Sequence, residues 1–472
     1  MQKEGKSRQA STAKIAIWYT IGNIFASGLA MLTTPLFSRL MTKAEYGQFA
    51  NFTSWESIIV VLVTLNLSAT VVRAKFDFDE KMDTYIASVL AASNMITLAA
   101  WVIIEWNRQF FTEYLSMDII YIRMLLVYLL FLPAFTYLQI KHRAYQKYQF
   151  FVFLSIFSAL VRTGTSALLV YYMQDKLFAR TVGYIVPMVA ISLLIWIYVY
   201  IKGKRISWEC ITYGVKISIP LIPHALAGNI LGNSDRIMIT NICGSEYAAL
   251  YSMAYTIGSF ASLLWTSMNQ AWVPWLYDKI GEGKKSEIKK ASKMYVAIYL
   301  FLIMGILLAA PEILLIFGGK SYYEAKDIIP PLLMGCAFQL IYGTYVNLEI
   351  YAKKTVLISV GTVGAAAVNV ILNLIFIPRY GYLAAAYTTM AGYFLLFLFH
   401  YVIVKIVIRE YADIYDTKFI WTMIGVISLL GIFGYYLYHY PVLRYPILIC
   451  YIIVVMIGLI KKRKTILKLI LH

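Results

Sequence analysis

Several ionisable residues lie inside apolar stretches of this sequence, and Arg162 is the clearest of them because it falls near the centre of the stretch at 149–172. Charge inside a bilayer is costly unless it faces a cavity or a partner. A guanidinium is always charged and can bind a phosphate or a carboxylate through two parallel hydrogen bonds. Arg162 therefore predicts anion binding within a membrane or, alternatively, an ion pair with a buried carboxylate such as Glu56 or Glu349.

The helical face that carries Arg162 is small and polar. Ser155, Ala159 and Ser166 share this face at the spacing of successive helical turns. Such a face suits either a water-filled cavity or close packing of helices. Glu56 can bind a coupling proton, because burial disfavours the charged form of a carboxyl, or it can be the counter-ion of an arginine. We expect Glu56 and Glu349 to act as gate or ion-coupling residues.

A second group of candidates lies in the apolar stretch at 213–233. Lys216, Pro220 and Pro223 fall on one face of the predicted helix, and His224 lies on its flank. Two prolines three residues apart remove backbone donors and bend a helix, and breaks of this kind often line a path through a membrane. We expect Lys216 and His224 to face such a path. Because Lys216 lies in the first helical turn, it can instead extend to the interface.

Three further charges stand at the outer ends of apolar stretches. Arg39 ends the first stretch, and the adjacent residues Asp235 and Arg236 end the seventh. Such residues can close a path as a gate or bind an anion at its mouth. They can equally pair with one another or cap a helix end, and the residue types leave both roles open.

No arrangement of residues in the sequence indicates catalysis, a metal ion or a cofactor. The five histidines are scattered, and the sequence has no GxxxxGK[ST] loop for binding nucleotide phosphates. The four cysteines, Cys210, Cys243, Cys336 and Cys450, have no paired spacing, so neither a metal site nor a disulfide framework is expected.

Fourteen predominantly apolar stretches must position these residues. A helix needs roughly 20 apolar residues to cross the hydrocarbon core of a bilayer, and 61% hydrophobic residues with a mean hydropathy of +0.69 agree with such a protein. The predicted fold class is all-α, a polytopic membrane protein of about 14 transmembrane helices. The predicted spans are 15–37, 49–72, 84–104, 121–140, 149–172, 181–201, 213–233, 247–275, 293–316, 328–350, 355–377, 381–404, 419–438 and 445–460.

The net charge of +18 indicates topology rather than binding of nucleic acid, because the basic residues fall in alternate loops. With the N-terminus inside, cytoplasmic segments hold 29 of the 42 Lys and Arg residues and external segments hold 11. Both termini are then cytoplasmic. The run Lys461-Lys462-Arg463-Lys464 can attract anionic lipid or serve as a stop-transfer signal. The polar segment before Ile15 lacks the features of a removable signal peptide.

A weak internal repeat favours two lobes. The repeated segments are Ser38-Arg39-Leu40-Met41 with Ala44-Glu45-Tyr46-Gly47, and Asp235-Arg236-Ile237-Met238 with Ser245-Glu246-Tyr247-Ala248. They lie six predicted helices apart, and an even offset implies parallel repeats with a binding site between the halves; chance similarity is the alternative. We predict an N-lobe at 1–205, a C-lobe at 206–410, each of six helices, and two appended helices at 411–472.

Three stretches match the pattern of one membrane-protein family in order and spacing. They are Pro35–Leu40 running into Glu45-Tyr46-Gly47, Ser234–Ile239 followed by Ala249–Tyr255, and Asn369–Pro378 followed by Gly381, Ala384, Ala385, Ala386 and Thr388. With them, nearly the whole chain resembles the bacterial polysaccharide-transport family, the oligosaccharide flippases of the MATE-like exporter superfamily.

The resemblance implies a carrier that moves an undecaprenyl-diphosphate-linked oligosaccharide from the cytoplasmic to the outer leaflet by alternating access. It implies a bacterial cytoplasmic membrane, contact with membrane lipid, a polysaccharide polymerase as a partner, and no cofactor. The candidates for a cationic substrate cavity between the lobes, deepest at Arg162, are Arg162, Lys216, Arg39, Arg236 and His224. Residues that can bind sugar hydroxyls, or link helices instead, are Asn66, Asn229, Asn269, Gln270, Asn369 and Asn373.

Other functions stay open at this point. A drug or cation exporter of the same superfamily would share the fold, and a flippase for the peptidoglycan precursor would differ only in the headgroup. A membrane polymerase or glycosyltransferase would use similar lipid-linked sugars, and Asp77-Phe78-Asp79 has a spacing that can hold a divalent cation. Arg73, Lys75 and Lys81 crowd that predicted loop, which favours a solvated turn and a protein that is not an enzyme.

Overall fold

The computed structural model describes residues 22, 25, 28, 29 and 31–471, with their side chains except at 459 and 462–471. Within these residues the regular structure is helical, which confirms the predicted all-α class. The α-helices described are α1 (31–40), α2 (Lys43–Val63), α3 (Val71–Asp77), α4 (Met82–Trp106), α5 (Arg108–Leu115), α6 (Ile119–Ala144), α7 (Tyr148–Tyr172), α8 (Lys176–Gly203), α9 (Trp208–Ser218), α10 (Ile222–Cys243), α11 (Ser245–Gly281), α12 (Lys285–Gly318), α13 (Ile329–Tyr351), α14 (Thr355–Tyr380), α15 (Tyr382–Ile406), α16 (Thr417–His439) and α17 (Pro441–Leu471).

The chain is a polytopic membrane protein. In the described part of the chain, eleven helical segments are long and apolar enough to cross a bilayer, or twelve if the bent pair α2 and α3 forms one span. These eleven segments coincide with the predicted third to seventh and ninth to fourteenth spans. At the predicted eighth span, α11 is helical but is not apolar enough to be counted among the eleven. The predicted first span at 15–37 lies largely outside the described residues, so the number fourteen stays a prediction.

The predicted second span at 49–72 is wrong as a continuous helix. Helix α2 ends at Val63, and α3 follows a short 3-10 helix at Leu67–Thr70, with a bend of 59° between the two parts. Leu65 and Asn66 have φ values of 48° and 51°. This left-handed backbone cannot continue a right-handed helix, although asparagine adopts it at lower cost than most residues.

The structure divides into two compact units. Unit 1 comprises Met1–Ser252 and Thr362–Ala385, and unit 2 comprises Met253–Gly361 and Ala386–His472. In unit 1, α6 and α7 pack against α8, α4 packs against α6 and α8, and α2 packs against α10. In unit 2, α12, α13, α16 and α17 pack on one another. The predicted lobes at 1–205 and 206–410, with helices appended at 411–472, stay a prediction.

The two repeat-like segments meet within unit 1. Gly47 of α2 lies so close to the Ser245 carbonyl and the Ala249 backbone nitrogen of α11 that a Cβ atom would not fit. The start of α2 is fixed by a capping box, in which Glu45 N donates to the Thr42 hydroxyl at 3.2 Å and Thr42 N donates to Glu45 Oε2 at 2.8 Å. The Glu-Tyr-Gly motif thus begins a helix and permits a close helix contact.

The Lys and Arg asymmetry across alternate loops predicts the orientation of the chain. A reporter that is active only outside the membrane should be active when fused after residue 110. A reporter that is active only in the cytoplasm should be active when fused after residue 472. A fusion after residue 283, between α11 and α12, serves as an internal control and should be cytoplasmic. The opposite pattern at residues 110 and 472 would overturn the predicted topology.

Candidate functional site

Arg162 and Glu56 belong to one cluster of side chains in unit 1. The Arg162 guanidinium on α7 lies over the ring of Tyr184 on α8, 4.4 Å from its centroid. The Tyr184 hydroxyl donates a hydrogen bond of 2.9 Å to Glu56 Oε2 on α2. Tyr128 on α6 packs against the Tyr184 ring, with centroids 6.0 Å apart, and interacts with both charged groups. We call these four residues the arginine–glutamate cluster.

The small polar face of α7 is used for packing. Ser155 is buried, and its hydroxyl accepts a hydrogen bond of 2.7 Å from Gln139 on α6. Ser166 is buried against Gly183 of α8, where a Cβ atom would collide with the Ser166 backbone. Close packing is therefore the use of this face that the described residues support.

The arginine–glutamate cluster gives both of its charges a partner. Arg162 and Glu56 are half-buried, and Tyr184 connects them, since its ring contacts the cation and its hydroxyl binds the carboxylate. A cation over an aromatic face is stabilised by about 0.5–2 kcal/mol. Tyr184 thus bridges Arg162 and Glu56, and the predicted ion pair between these two residues stays a prediction. A guanidinium has five N–H donors, so a role of Arg162 in binding phosphate stays a prediction.

Asp235 is the centre of a buried network that joins the second and third family-like motifs. Its Oδ2 accepts a hydrogen bond of 2.5 Å from the Tyr251 hydroxyl, and its Oδ1 accepts one of 2.6 Å from Asn373 Nδ2. Asn373 Nδ2 also donates a hydrogen bond of 3.3 Å to Asn369 Oδ1. The same Asn369 oxygen accepts a hydrogen bond of 3.4 Å from the Ser234 hydroxyl. The two asparagines therefore link α10, α11 and α14 within unit 1, which was one of their two predicted uses.

Arg236 and Arg39 are the other charged candidates at these helix ends. Arg236 is half-buried, and its Nη1 donates to Asn233 Oδ1 at 3.0 Å and to the Gly232 carbonyl at 3.4 Å. Arg39 is exposed near the end of α1. Adjacent residues in a helix point about 100° apart. Gate or anion-binding roles for these residues stay predictions.

The stretch with Lys216 and His224 is interrupted at the prolines, as predicted. Helix α9 ends at Ser218, a 3-10 turn follows at Ile219–Leu221, and α10 begins at Ile222. Lys216 is exposed in the last turn of α9. His224 is half-buried, and its Nδ1 is a buried atom without a hydrogen-bond partner among the described residues. Their contact with a substrate path stays a prediction.

Glu349 lies in unit 2 and is paired with His400. The distance from His400 Nδ1 on α15 to Glu349 Oε1 on α13 is 2.7 Å, and both side chains are fully buried. The described ion-pair partner of Glu349 is thus His400, and the predicted alternative in which Glu349 balances Arg162 stays a prediction. A gate or ion-coupling role for Glu349 stays a prediction.

The sequence analysis missed Arg180, which joins α1, α2 and α8. Its guanidinium lies over the rings of Phe37, Tyr46 and Phe49, at centroid distances of 4.0, 4.9 and 4.2 Å. Its Nη1 also lies 3.3 Å from Met41 Sδ. Three aromatic residues around the first family-like motif were the available signal, since aromatic faces attract a cation.

Asp77 and Asp79 bind neighbouring side chains separately. Asp77 pairs with Arg73 at 3.2 Å and accepts a hydrogen bond from Tyr213, whereas Asp79 Oδ1 accepts one of 2.5 Å from the Tyr145 hydroxyl. Burial and the nearby Asp79 carboxylate raise the pKa of Tyr145 to about 12, so this phenol stays a donor at neutral pH. Among the described residues no group of three His, Cys, Asp or Glu side chains could hold a metal ion.

Cavities within the two units have mainly apolar walls. In unit 1 a cavity of 530 Å³ lies among α2, α4, α5 and α10, with Trp55, Ile103 and Phe111 in its lining. In unit 2 a cavity of 390 Å³ lies among α13, α15 and α16. A diphosphate needs cations or N–H donors to leave water, so these walls do not suit it. The predicted cationic cavity stays a prediction.

Comparison with solved structures defines the class of fold. The chain is similar to the lipid II flippase MurJ in an inward closed conformation, with 16% identity, a TM-score of 0.69, and coverage of 95% of this chain and 100% of that one. It is also similar to an inward-facing multidrug resistance MATE family transporter of the MOP superfamily, with 12% identity, a TM-score of 0.59, and coverage of 84% and 99%. The chain thus has the fold shared by these two membrane transporters.

Sequence comparison supplies the family. A sequence model of the polysaccharide biosynthesis protein family matches residues 12–278. An uncharacterized membrane protein of Haemophilus influenzae is 20% identical over 388 residues, which cover 78% of this chain and 92% of that protein. One of Methanocaldococcus jannaschii is 22% identical over 437 residues, covering 83% and 84%. The chain belongs to the polysaccharide biosynthesis protein family, which confirms the predicted family resemblance.

Proposed function

We propose that this protein is a flippase that moves an undecaprenyl-diphosphate-linked oligosaccharide from the inner to the outer leaflet of a bacterial cytoplasmic membrane by alternating access. The product would be capsule, O-antigen or another exopolysaccharide. The observation that carries the proposal is the match to the polysaccharide biosynthesis protein family over more than half of the chain. The fold shared with a lipid II flippase adds support.

The physical problem of such a carrier is the diphosphate, because its charge must leave bulk water during crossing. Fixed cations along the path reduce that cost, and our candidates are Arg162, Lys216, Arg39, Arg236 and His224. Outward movement of negative charge is favoured by an inside-negative potential, by about 2.3 kcal/mol per charge per 100 mV. Transport therefore needs no ATP, although the return of the empty carrier can need an ion.

The arginine–glutamate cluster suggests how Arg162 would act. With no substrate bound, the guanidinium lies over the Tyr184 ring, and the Tyr184 hydroxyl is held by the Glu56 carboxylate. A diphosphate offers Arg162 more negative charge than one carboxylate and can accept two parallel hydrogen bonds. Substrate would thus draw the guanidinium away from Tyr184, which itself binds Glu56, so that binding loosens the contact between α2, α7 and α8. Asp235 and Glu349 are candidates for groups that hold the closed states.

Loss of the protein is the direct test of the proposal. In a deletion strain, lipid-linked oligosaccharide should accumulate on the cytoplasmic face, where added glycosidases cannot reach it in intact spheroplasts. A polymerase would be a separate partner, so its deletion should instead leave single units on the outer face. If deletion of this protein leaves translocated, unpolymerised units, the polymerase or glycosyltransferase alternative is correct.

Two transport alternatives give different outcomes in the same strain. A peptidoglycan-precursor flippase would be needed for growth, and its loss would strand lipid II on the inner face. A drug or cation exporter would leave polymer synthesis intact and would change only the sensitivity of the strain to toxic cations. Normal polymer with either of these phenotypes would overturn the proposed substrate.

A further inference from the structure

Glu349 and His400 form a fully buried acid–imidazole pair in unit 2, which we call the Glu–His pair. His400 Nδ1 lies 2.7 Å from Glu349 Oε1, and each side chain is 0% exposed. The other two polar atoms of the pair, His400 Nε2 and Glu349 Oε2, have no hydrogen-bond partner among the described residues. Buried polar atoms are nearly always hydrogen-bonded, so two orphans on neighbouring side chains call for a ligand or a function.

Among the described residues, no ion pair joins the Glu–His pair to a third charged group. Tyr342 of α13 stacks on the imidazole with centroids 5.8 Å apart, and Gly361 of α14 approaches it so closely that a Cβ would lie 3.2 Å from His400 Cε1. Tyr277 from α11 and Tyr415 from the segment before α16 donate to carbonyls of α13. The ammonium of Lys405, further along α15, binds a carbonyl beyond the helix end. In the described residues the pair forms its ion pair internally.

The net charge of the Glu–His pair therefore depends on a single proton. The contact between Nδ1 and Oε1 requires one proton between these atoms. If the two outer atoms Nε2 and Oε2 carry no further proton, the pair has a net charge of −1. If one of them binds a proton, the pair is neutral. An uncompensated charge in an apolar interior is costly, so the tightly packed arrangement around the pair suits the neutral form.

We propose that the Glu–His pair binds the proton that resets the carrier. A proton from water bonds to the free electron pair of His400 Nε2, while the hydrogen bond between Nδ1 and the carboxylate is kept. Release breaks the same N–H bond and returns the proton to water, so no oxidant or reductant takes part. The neutral pair favours the packed arrangement of α13, α14 and α15, and the charged pair favours one that admits water. This inference rests on the proposed flippase function.

Position in the chain supports access of this site to water. Glu349 lies two residues before α13 ends at Tyr351, and the following turn contains Lys353 and Lys354. At 1.5 Å per residue the carboxylate is therefore less than one helical turn from the end of α13. Under the predicted orientation this end faces the cytoplasm. A proton taken up in the outward-facing state would be released there, which makes the carrier an antiporter of protons and lipid-linked oligosaccharide.

The first test uses the wild-type protein and needs no substrate. The full-length chain, labelled with ¹⁵N-histidine in nanodiscs, contains five histidines, and loss of one set of signals in His400→Gln assigns His400. We expect His400 Nε2 to change between protonated and unprotonated forms over the pH range in which the protein stays folded. His439→Gln, at an exposed position, is the control for labelling and folding. A His400 whose protonation is constant over this range would overturn the inference.

The second test measures coupling. Proteoliposomes with a fluorescent polyprenyl-diphosphate-linked sugar are prepared with the side corresponding to the exterior one pH unit more acidic than the other. We expect the gradient to increase wild-type flipping by up to about tenfold, because one pH unit corresponds to 1.36 kcal/mol per proton. Glu349→Gln and His400→Gln should lose this dependence, so that each variant flips the probe at the same rate with and without the gradient. His439→Gln should respond as the wild type does.

The outcomes separate this inference from the proposed function. If the wild type flips the probe and both Gln variants still respond to the gradient, the Glu–His pair is structural and the proposed function stands. If the wild type flips no lipid-linked sugar, the proposed function fails, and the NMR titration still decides whether the pair binds a proton. If both variants fail to fold, as judged by thermal unfolding, the titration of wild-type His400 decides alone.

Discussion

Replacement of Arg162 by alanine should reduce flipping of lipid-linked oligosaccharide by about 10- to 100-fold. A hydrogen bond to a charged group contributes about 1.5–3 kcal/mol, and 1.4 kcal/mol is a factor of ten. Arg162→Lys should retain part of the rate, because the charge survives but the planar pair of donors does not. The measurement is the initial flipping rate in proteoliposomes at equal protein content, with folding checked by thermal unfolding.

The arginine–glutamate cluster supplies the controls for this prediction. Arg162→Ala leaves Glu56 without its cation, so the loss could reflect damage to the fold instead of lost binding. Arg162→Ala combined with Glu56→Gln removes the unpaired charge. It should restore the unfolding temperature but not transport. Arg123→Ala breaks an ion pair with Glu105 in the same unit, at two partly exposed side chains, and should change transport little. Normal flipping by a folded Arg162→Ala protein would exclude Arg162 from substrate binding.

The helices of this protein could be predicted from its sequence because long apolar segments in a bilayer must satisfy their backbone hydrogen bonds internally. The same holds for the interruption at Pro220 and Pro223, since proline lacks the donor that a helix interior needs. The break after Val63 could not be predicted in this way. No proline or glycine marks it, and it depends on the left-handed backbone of Leu65 and Asn66.

Partners of the charged side chains were harder to predict than their positions in the chain. The choice of Glu56 as the residue linked to Arg162, and of His400 for Glu349, depends on how each helix is rotated about its axis. Apolar periodicity gives little information about that rotation when most faces of a helix are apolar. Asp235 and Asn373 were recognised as polar positions in two motifs, but their hydrogen bond joins residues 138 apart in the chain.

Arg444 and Glu312 were not singled out from the sequence, yet they form the contact in unit 2 whose loss should destabilise the protein most. Arg444 is 2% exposed near the start of α17. Its Nη1 donates to Glu312 Oε2 at 2.6 Å and to the Leu308 carbonyl at 2.8 Å, and its Nη2 donates to Glu312 Oε1. Tyr445 adds a hydrogen bond of 3.1 Å to the same carboxylate. Arg444 thus links α17 to α12 through three hydrogen bonds.

Arg444→Ala should lower the free energy of unfolding by about 3 kcal/mol. Removal of one partner from a buried pair costs about 3–5 kcal/mol, and the lower end applies because the Glu312 side chain is 34% exposed and can reach water. The measurement is reversible unfolding in mixed micelles with increasing SDS, followed by tryptophan fluorescence. Arg409→Ala, which removes an exposed arginine, is the matched control and should change the free energy by less than about 0.5 kcal/mol.

The double variant Arg444→Met with Glu312→Leu distinguishes the charge pair from simple loss of contacts. If the cost of Arg444→Ala arises from an unpaired carboxylate, replacing both charges by apolar groups of similar volume should recover most of the stability. Transport by this double variant should stay near the wild-type rate, because neither residue is a candidate for the substrate path. If the double variant is as unstable as Arg444→Ala, the lost hydrogen bond to the Leu308 carbonyl and the packing of the arginine stem carry the stabilisation instead.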